Sequence, residues 1–259
     1  MADIFSWFAD AEIAIHEMAI ADAPAELFPD EAAYVSRAVP RRVQEFAAGR
    51  FCARRAMAKL GHAPAPIPAA PDRAPIWPEG LVGSITHAAG HCAAAVARAA
   101  DGYRGIGLDL EPSSPLPPDI LDTVCLPEEL AWLQRQPSAD RDVLARAIFS
   151  AKECAYKVQY RLSGVLLEFH DLRLALDMGE GRFVAAFARD CPPFAMHDEI
   201  AGRIRIDRGF IACAAVLRSA PALWSSASDR KVGTGFRINP MRKQKARAAP
   251  AVPIKSPPI

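Results

Sequence analysis

The chain contains no C-x-x-C pair and no apolar run approaching the ~20 residues that cross a bilayer. It also has almost no net charge, with 31 Lys and Arg against 30 Asp and Glu. The first absence argues against a zinc site. The six cysteines (Cys52, Cys92, Cys125, Cys154, Cys191 and Cys213) sit singly, mostly among apolar neighbours, which predicts reduced core thiols in a cytosolic protein. The second absence excludes a membrane span, and residues 1–20 are acidic and broken by charge, unlike a secretory signal. The third leaves no bulk field for nucleic acid, so neither nucleic acid nor membrane is expected as a partner. With 259 residues, 51% of them hydrophobic, there is enough chain for one large globular domain or two ordinary ones.

The most informative stretch is Gly105-Ile106-Gly107-Leu108-Asp109-Leu110-Glu111-Pro112. It reads as a short strand with Gly on its approach and Pro at its exit. Residues two apart in a strand share a face, so Asp109 and Glu111 stand together while Leu108 and Leu110 turn to a core. Two adjacent carboxylates repel, and a proton or a cation relieves the repulsion. Oxygen ligands suit a hard ion such as Mg²⁺. The alternative is a strand end whose acids face water.

Around it, the pattern predicts an α+β protein. Ile13, Ile15 and Met18 mark one early strand or edge element. A helix runs over residues 41–60 and ends at Gly61. Arg50 and Arg54 lie on one face of that helix, where like charges repel and a bound phosphate would relieve them. A solvated helix face is the plainer alternative. Residues 62–78 read as a Pro- and Ala-rich loop carrying Arg73. Strands follow at 81–87 and 91–98 around a small-residue turn. His87 ends the first of these, beside Thr86, as a hydroxyl and imidazole able to cradle phosphate; alternatively it is an ordinary structural histidine.

Residues 113–118 hold three prolines and read as a linker. A helix begins at Leu126-Pro127, and a longer one runs from about Asp140 to Leu162, ended by Gly164. On the longer helix Glu153 and Lys157 share a face, by themselves no more than an i,i+4 ion pair. Strands are expected at 166–176 and 182–188, and a hairpin at 204–217 through Arg208-Gly209. The second half echoes the first: residues 90–98 resemble 209–218, and the helix of 46–61 resembles that of 149–164. Two α+β halves related by a pseudo-two-fold follow, residues 1–114 and 115–218, with a site in the cleft between them and a basic, disordered tail at 219–259.

Together these pieces resemble the 4′-phosphopantetheinyl transferases, in particular the single-chain enterobactin-synthase and surfactin-type class. Gly107-Leu108-Asp109-Leu110-Glu111 is similar to the family's G-I-D-I-E. Phe149-Ser150-Ala151-Lys152-Glu153-Cys154-Ala155-Tyr156-Lys157 is similar to its (F/W)-S-x-K-E-x-x-x-K, about 40 residues on. Arg41-Arg42 with Gly49 to Arg54, and Trp77 to His87, match the enterobactin branch. Thr86 and Ala88 flank His87 where Ser-His-Ser is usual, so one hydroxyl is lost.

The resemblance implies transfer of the phosphopantetheine arm of coenzyme A to a serine of an apo carrier protein, with release of 3′,5′-ADP. It implies Mg²⁺, or Mn²⁺, on Asp109, Glu111 and Glu153. Glu153 is then the candidate base, Lys157 a phosphate contact, and Lys152 a contact to the nucleotide. Arg50, Arg54, Arg73, Thr86 and His87 are implied to hold the coenzyme A phosphates. A cytoplasmic monomer acting on peptidyl, aryl or acyl carriers of siderophore or other secondary metabolism completes the expectation. Its rivals are another Mg²⁺-dependent phosphoryl enzyme and a carrier-binding module without activity.

Overall fold

The computed structural model describes residues 4–8 and 10–219. The basic tail expected from Ser219 lies, from residue 220 onward, outside the described residues. The fold is α+β. In chain order come β1 (Ala14–Ala19), α1 (Pro29–Val35), α2 (Pro40–Lys59), β2 (Leu81–Ala88), β3 (His91–Arg98) and β4 (Tyr103–Pro112). Then follow α3 (Leu121–Val124), α4 (Pro127–Gln134), α5 (Arg141–Ser163), β5 (Leu172–Asp177), β6 (Arg182–Phe187), β7 (Glu199–Asp207) and β8 (Phe210–Arg218).

The strands form two antiparallel sheets, ordered β1-β3-β2 and β4-β8-β7-β6-β5. Each carries a long helix on one face. α2 starts with Pro40 in its first turn, as a preset φ favours, and presents small residues (Ala48, Gly49, Cys52 and Ala56) to β2 and β3. At Gly49 a Cβ would lie 3.0 Å from Ile85, so this approach depends on the missing side chain. α5 lies on β4 and β8 and ends in Gly164, whose φ of +62° suits a left-handed cap. It comes so close to β4 that a Cβ on Gly107 would be 2.1 Å from the Cys154 carbonyl oxygen. The two-residue hairpin turns, Ala89-Gly90 and Arg208-Gly209, have positive φ at both central residues, the form that matches strand twist. All six cysteines are free and buried.

The two sheets meet edge to edge through side chains. Ser84 Oγ and Thr86 Oγ1 on β2 accept the backbone N–H groups of Leu108 and Leu110 on β4, each at 2.9 Å. Two hydroxyls, two residues apart on one strand, thus take the place of a backbone ladder and fix the metal-strand candidate against the first half. Ser84→Ala is therefore expected to leave Leu108 N–H buried without an acceptor. The cost is about 1–3 kcal/mol, to be read as a lowered midpoint in urea unfolding; an unchanged midpoint would mean that water replaces the hydroxyl.

Three expectations change. The division at residue 114 does not follow the sheets, because β4 pairs with β8 along its length and so belongs with the second half. The strand expected from 166 begins only at Leu172. Before it, a 3₁₀ turn at Phe169–Asp171 is held by Asp171 Oδ2 accepting Glu168 N–H, and the Phe169 carbonyl accepts from Lys152. The third is α1, a helix within a region where only a strand was expected. Its Glu31 is fully buried and accepts from Phe28 N–H, Ile67 N–H and Arg54, tying α1 to α2 and to the following loop.

Candidate active site

The strand alternation places Asp109 and Glu111 as the sequence predicts. Leu108 and Leu110 are buried in the core, and the two carboxylates face α5. There α5 answers with a polar row. Ser150 Oγ donates to Asp109 Oδ2 at 2.8 Å, and Lys157 Nζ donates to Asp109 Oδ1 at 2.8 Å and to the Leu108 carbonyl at 2.9 Å. Arg146 Nη1 donates to Glu111 Oε2 at 2.8 Å. Glu153 lies in the same row, but its Oε2 is buried with no hydrogen-bond partner.

The electrostatics follow from this packing. Burial, and then the charge of Asp109, push the Glu153 carboxyl up to about 8. The same causes in the same order bring Glu111 to about 7, against the pull of Arg146. Lys157 loses by burial, but Asp109 and Glu153 outweigh that loss and raise it. Three acids therefore share one neighbourhood with two cations, Lys157 on Asp109 and Arg146 on Glu111, and Glu153 is the acid without a hydrogen-bonded cation of its own.

No group of three or more His, Cys, Asp or Glu side chains among the described residues is arranged to hold a metal ion. Asp109 and Glu111 are instead turned to internal cations. The donor chemistry nevertheless fits a hard divalent ion: all-oxygen ligands, mutual repulsion, and one buried carboxylate oxygen left over.

The expected anion contacts divide. His87 is the penultimate residue of β2, lies 3.5 Å from Arg42 Nη1, and lines an open cavity of about 270 Å³ together with Arg41 and Glu111. It thus brings the first half to the carboxylate strand. Arg73 and Arg42 line a neighbouring groove with Tyr34, Val35 and Ala38. Arg50 is 1% exposed behind them, its Nε on the Ile67 carbonyl and its guanidinium 4.0 Å over the Phe46 ring. Its Nη2 is buried without a partner, and burial lowers its pKa to about 10.

Arg54, Thr86 and Lys152 are placed elsewhere. Arg54 spends Nη1 on both Glu31 oxygens and Nη2 on the Glu26 carbonyl. Thr86 is buried in the sheet joint. Lys152 is 1% exposed, and its three donors go to Val124 O, Glu129 Oε2 and Phe169 O. An ammonium has three protons, so none remains for a nucleotide. These three side chains hold the fold in this geometry. Arg42, Arg146 and Ser150 were not singled out from the sequence. Ser150 and Arg42 lie inside matched motifs, whereas Arg146 has only its helix position to mark it.

A second cleft of about 100 Å³ opens beyond Lys157, lined by Trp77, Ser84, Tyr156 and Arg161. Tyr160 hydroxyl donates to Asp72 across it. A small pocket of about 10 Å³, no larger than a water, lies against Glu153, Tyr156, Leu167 and Phe169. Basic groove, carboxylate–lysine row and the apolar-walled cleft beside Lys157 lie together where the two sheets meet.

Comparison with known proteins agrees. Residues 30–97 match the model of the 4′-phosphopantetheinyl transferase N-terminal domain, and residues 105–201 match that of the 4′-phosphopantetheinyl transferase superfamily. The 4′-phosphopantetheinyl transferase Svp of Streptomyces mobaraensis is 41% identical over 232 residues, 86% of this chain and 92% of the relative. PptT of Mycobacterium tuberculosis, also a 4′-phosphopantetheinyl transferase, is 37% identical over 73% of this chain and 85% of its own length. Enterobactin synthase component D of Salmonella typhi is 33% identical over 45% of this chain and 48% of its own. The chain is therefore a transferase enzyme. It belongs to the 4′-phosphopantetheinyl transferase superfamily.

Proposed function

We propose that this enzyme moves the 4′-phosphopantetheine arm of coenzyme A onto a serine hydroxyl of an apo carrier protein, peptidyl, aryl or acyl. The observation that carries the reading is the row on α5 facing β4: Glu153 with an unpartnered buried oxygen beside Lys157 and Asp109. Serine Oγ bonds to the β-phosphorus, the bond from that phosphorus to the bridging oxygen breaks, and 3′,5′-ADP leaves. Glu153 Oε2 takes the serine proton. Lys157 Nζ lies on Asp109 and stabilises charge on the phosphoryl oxygens, a task of positioning and electrostatics. Arg42, Arg73 and His87, with Arg50 behind them, hold the remaining phosphates of coenzyme A.

Asp109, Glu111 and Glu153 would hold Mg²⁺, or Mn²⁺, which supplies charge neutralisation at the pyrophosphate. The repeated arrangement of a long helix over an antiparallel sheet supports two halves related by a pseudo-two-fold, with the site between them. No described helix is long and apolar enough to cross a membrane. A cytoplasmic monomer serving carriers of siderophore or other secondary metabolism belongs to the same reading.

Intact-mass spectrometry of an apo carrier incubated with the protein, coenzyme A and Mg²⁺ tests it. One added phosphopantetheine mass is expected, lost with EDTA and in Asp109→Ala. No gain across several carriers together with no coenzyme A binding would overturn the proposal. Binding without transfer to any carrier would favour a carrier-binding module, and turnover of simple phosphate esters without a carrier would favour a different phosphoryl enzyme.

A further inference from the structure

Arg146 sits two helical turns before Glu153 on α5, outside the motifs read in the sequence. Its guanidinium makes three contacts: Nη1 to Glu111 Oε2 at 2.8 Å, Nη2 to the Pro115 carbonyl at 2.8 Å, and Nε to the Ser114 carbonyl at 3.4 Å. One planar fork thus ties the helix, the end of β4 and the segment that leads out of it. The pair is mostly enclosed, with side chains 15% and 19% exposed. The fork engages one oxygen of Glu111, Oε2, and not Oε1.

A carboxylate at a strand end, followed by Pro112 and two serines, has three side-chain torsions to settle. A monodentate contact from a fork that is itself anchored on two carbonyls fixes those torsions and leaves the second oxygen open. Asp109 is also fixed by α5, but at both oxygens, with Ser150 on Oδ2 and Lys157 on Oδ1. We propose that Arg146 is a positioning residue that holds Glu111 Oε2 so that Oε1 is presented to a divalent cation shared with Asp109 and Glu153. The inference rests on the reading of Glu111 as a metal ligand given above.

Charge alone predicts the opposite outcome, which makes the idea testable. A guanidinium near a cation site repels the cation, so deleting it tightens metal binding if electrostatics is its only effect. If it positions Glu111, deletion weakens binding. Mn²⁺ titration of the full chain, followed by the loss of free-ion paramagnetic resonance signal, measures this without turnover. Arg146→Met is expected to weaken Mn²⁺ binding roughly 10–100-fold, the range found for groups that orient metal ligands. Arg146→Lys is expected to recover only part of the loss, because one ammonium cannot span Glu111 and both carbonyls. The metal concentration for half-maximal transfer should rise in parallel, with kcat at saturating metal changing less.

Unchanged or tighter Mn²⁺ binding in Arg146→Met, with Glu111→Gln weakened, overturns the inference and leaves the ligand reading standing. Unchanged binding in both variants removes Glu111 from the ligand set, and the inference falls with it. If circular dichroism shows Arg146→Met unfolded, Arg146→Lys decides: weaker binding than the wild type supports positioning, and equal binding overturns it.

Discussion

Replacing Glu153 by Gln is expected to lower phosphopantetheine transfer by roughly 10²–10⁴-fold and, in metal-free protein, to raise thermal stability at pH 8. The two effects share one cause. Gln matches Glu in shape, so packing is preserved, but it cannot accept the serine proton. Glu153 Oε2 has no hydrogen-bond partner to lose. What the substitution removes is a carboxylate in a buried site that already holds Asp109 and Glu111. The folded carboxyl is raised from 4.5 to about 8, first by burial and then by Asp109. A carboxyl with a raised folded pKa favours folding while protonated and loses that advantage as the unfolded chain ionises. Metal-free wild-type protein should therefore fall in stability between about pH 4.5 and pH 8, by an amount on the order of a few kcal/mol.

Melting of wild type and Glu153→Gln at pH 5, 6.5 and 8, beside the intact-mass assay, checks both halves of this expectation. The gap between the two proteins should be small at pH 5 and widest at pH 8. Parallel pH curves would mean that the Glu153 charge is compensated in the fold, and near-normal transfer would remove it from the role of base. A site that is more stable when disabled is the physical signature of groups assembled for a ligand rather than for one another.

How much of this was legible beforehand depends on the distance over which each residue finds its partner. The acid strand could be read because period-two alternation around Leu108 and Leu110 decides which face Asp109 and Glu111 take. The two long helices and both tight turns were marked by Gly61, Gly164, Gly90 and Gly209, whose φ values are all positive. Pairing partners were a different matter. Alternation says which way a side chain points and not which strand lies alongside, so the sequence alone puts β4 with the residues before it although its partner β8 begins at Phe210.

The cations show the same limit more sharply. Arg50, Arg54 and Lys152 are equally basic in a motif, and nothing local distinguishes them. Tertiary structure gives Arg54 to Glu31, 23 positions away, and Lys152 to Glu129, also 23 positions away, while Arg50 keeps a buried nitrogen unpaired. Whether an arginine awaits a phosphate or already holds an acid is decided by which acids the fold brings to it. Ser84 and Thr86 were readable in principle as a same-face hydroxyl pair, but their role as the seam between sheets needed the position of β4.

Lys152→Met is expected to cost about 3–5 kcal/mol of stability, a drop in melting temperature near 10 °C for a domain of this size. The ammonium and Glu129 are 1% and 3% exposed and 2.7 Å apart. Removing the lysine leaves a buried carboxylate with only the N–H groups of Leu126 and Leu174, and leaves the Val124 and Phe169 carbonyls without their donor. The double variant Lys152→Met with Glu129→Gln should recover part of the loss, because the neutral amide can still accept an N–H bond and no unpaired charge remains. Coenzyme A affinity, measured by calorimetry below the melting transition, separates this from the role implied by the motif. A structural lysine changes melting strongly and affinity little. A nucleotide contact would do the reverse, and the double variant would then bind as poorly as the single one. Lys152 lies directly beside Glu153 on α5, so anchoring that turn of helix to α4 and to the Phe169 turn is how this ion pair reaches the chemistry without touching it.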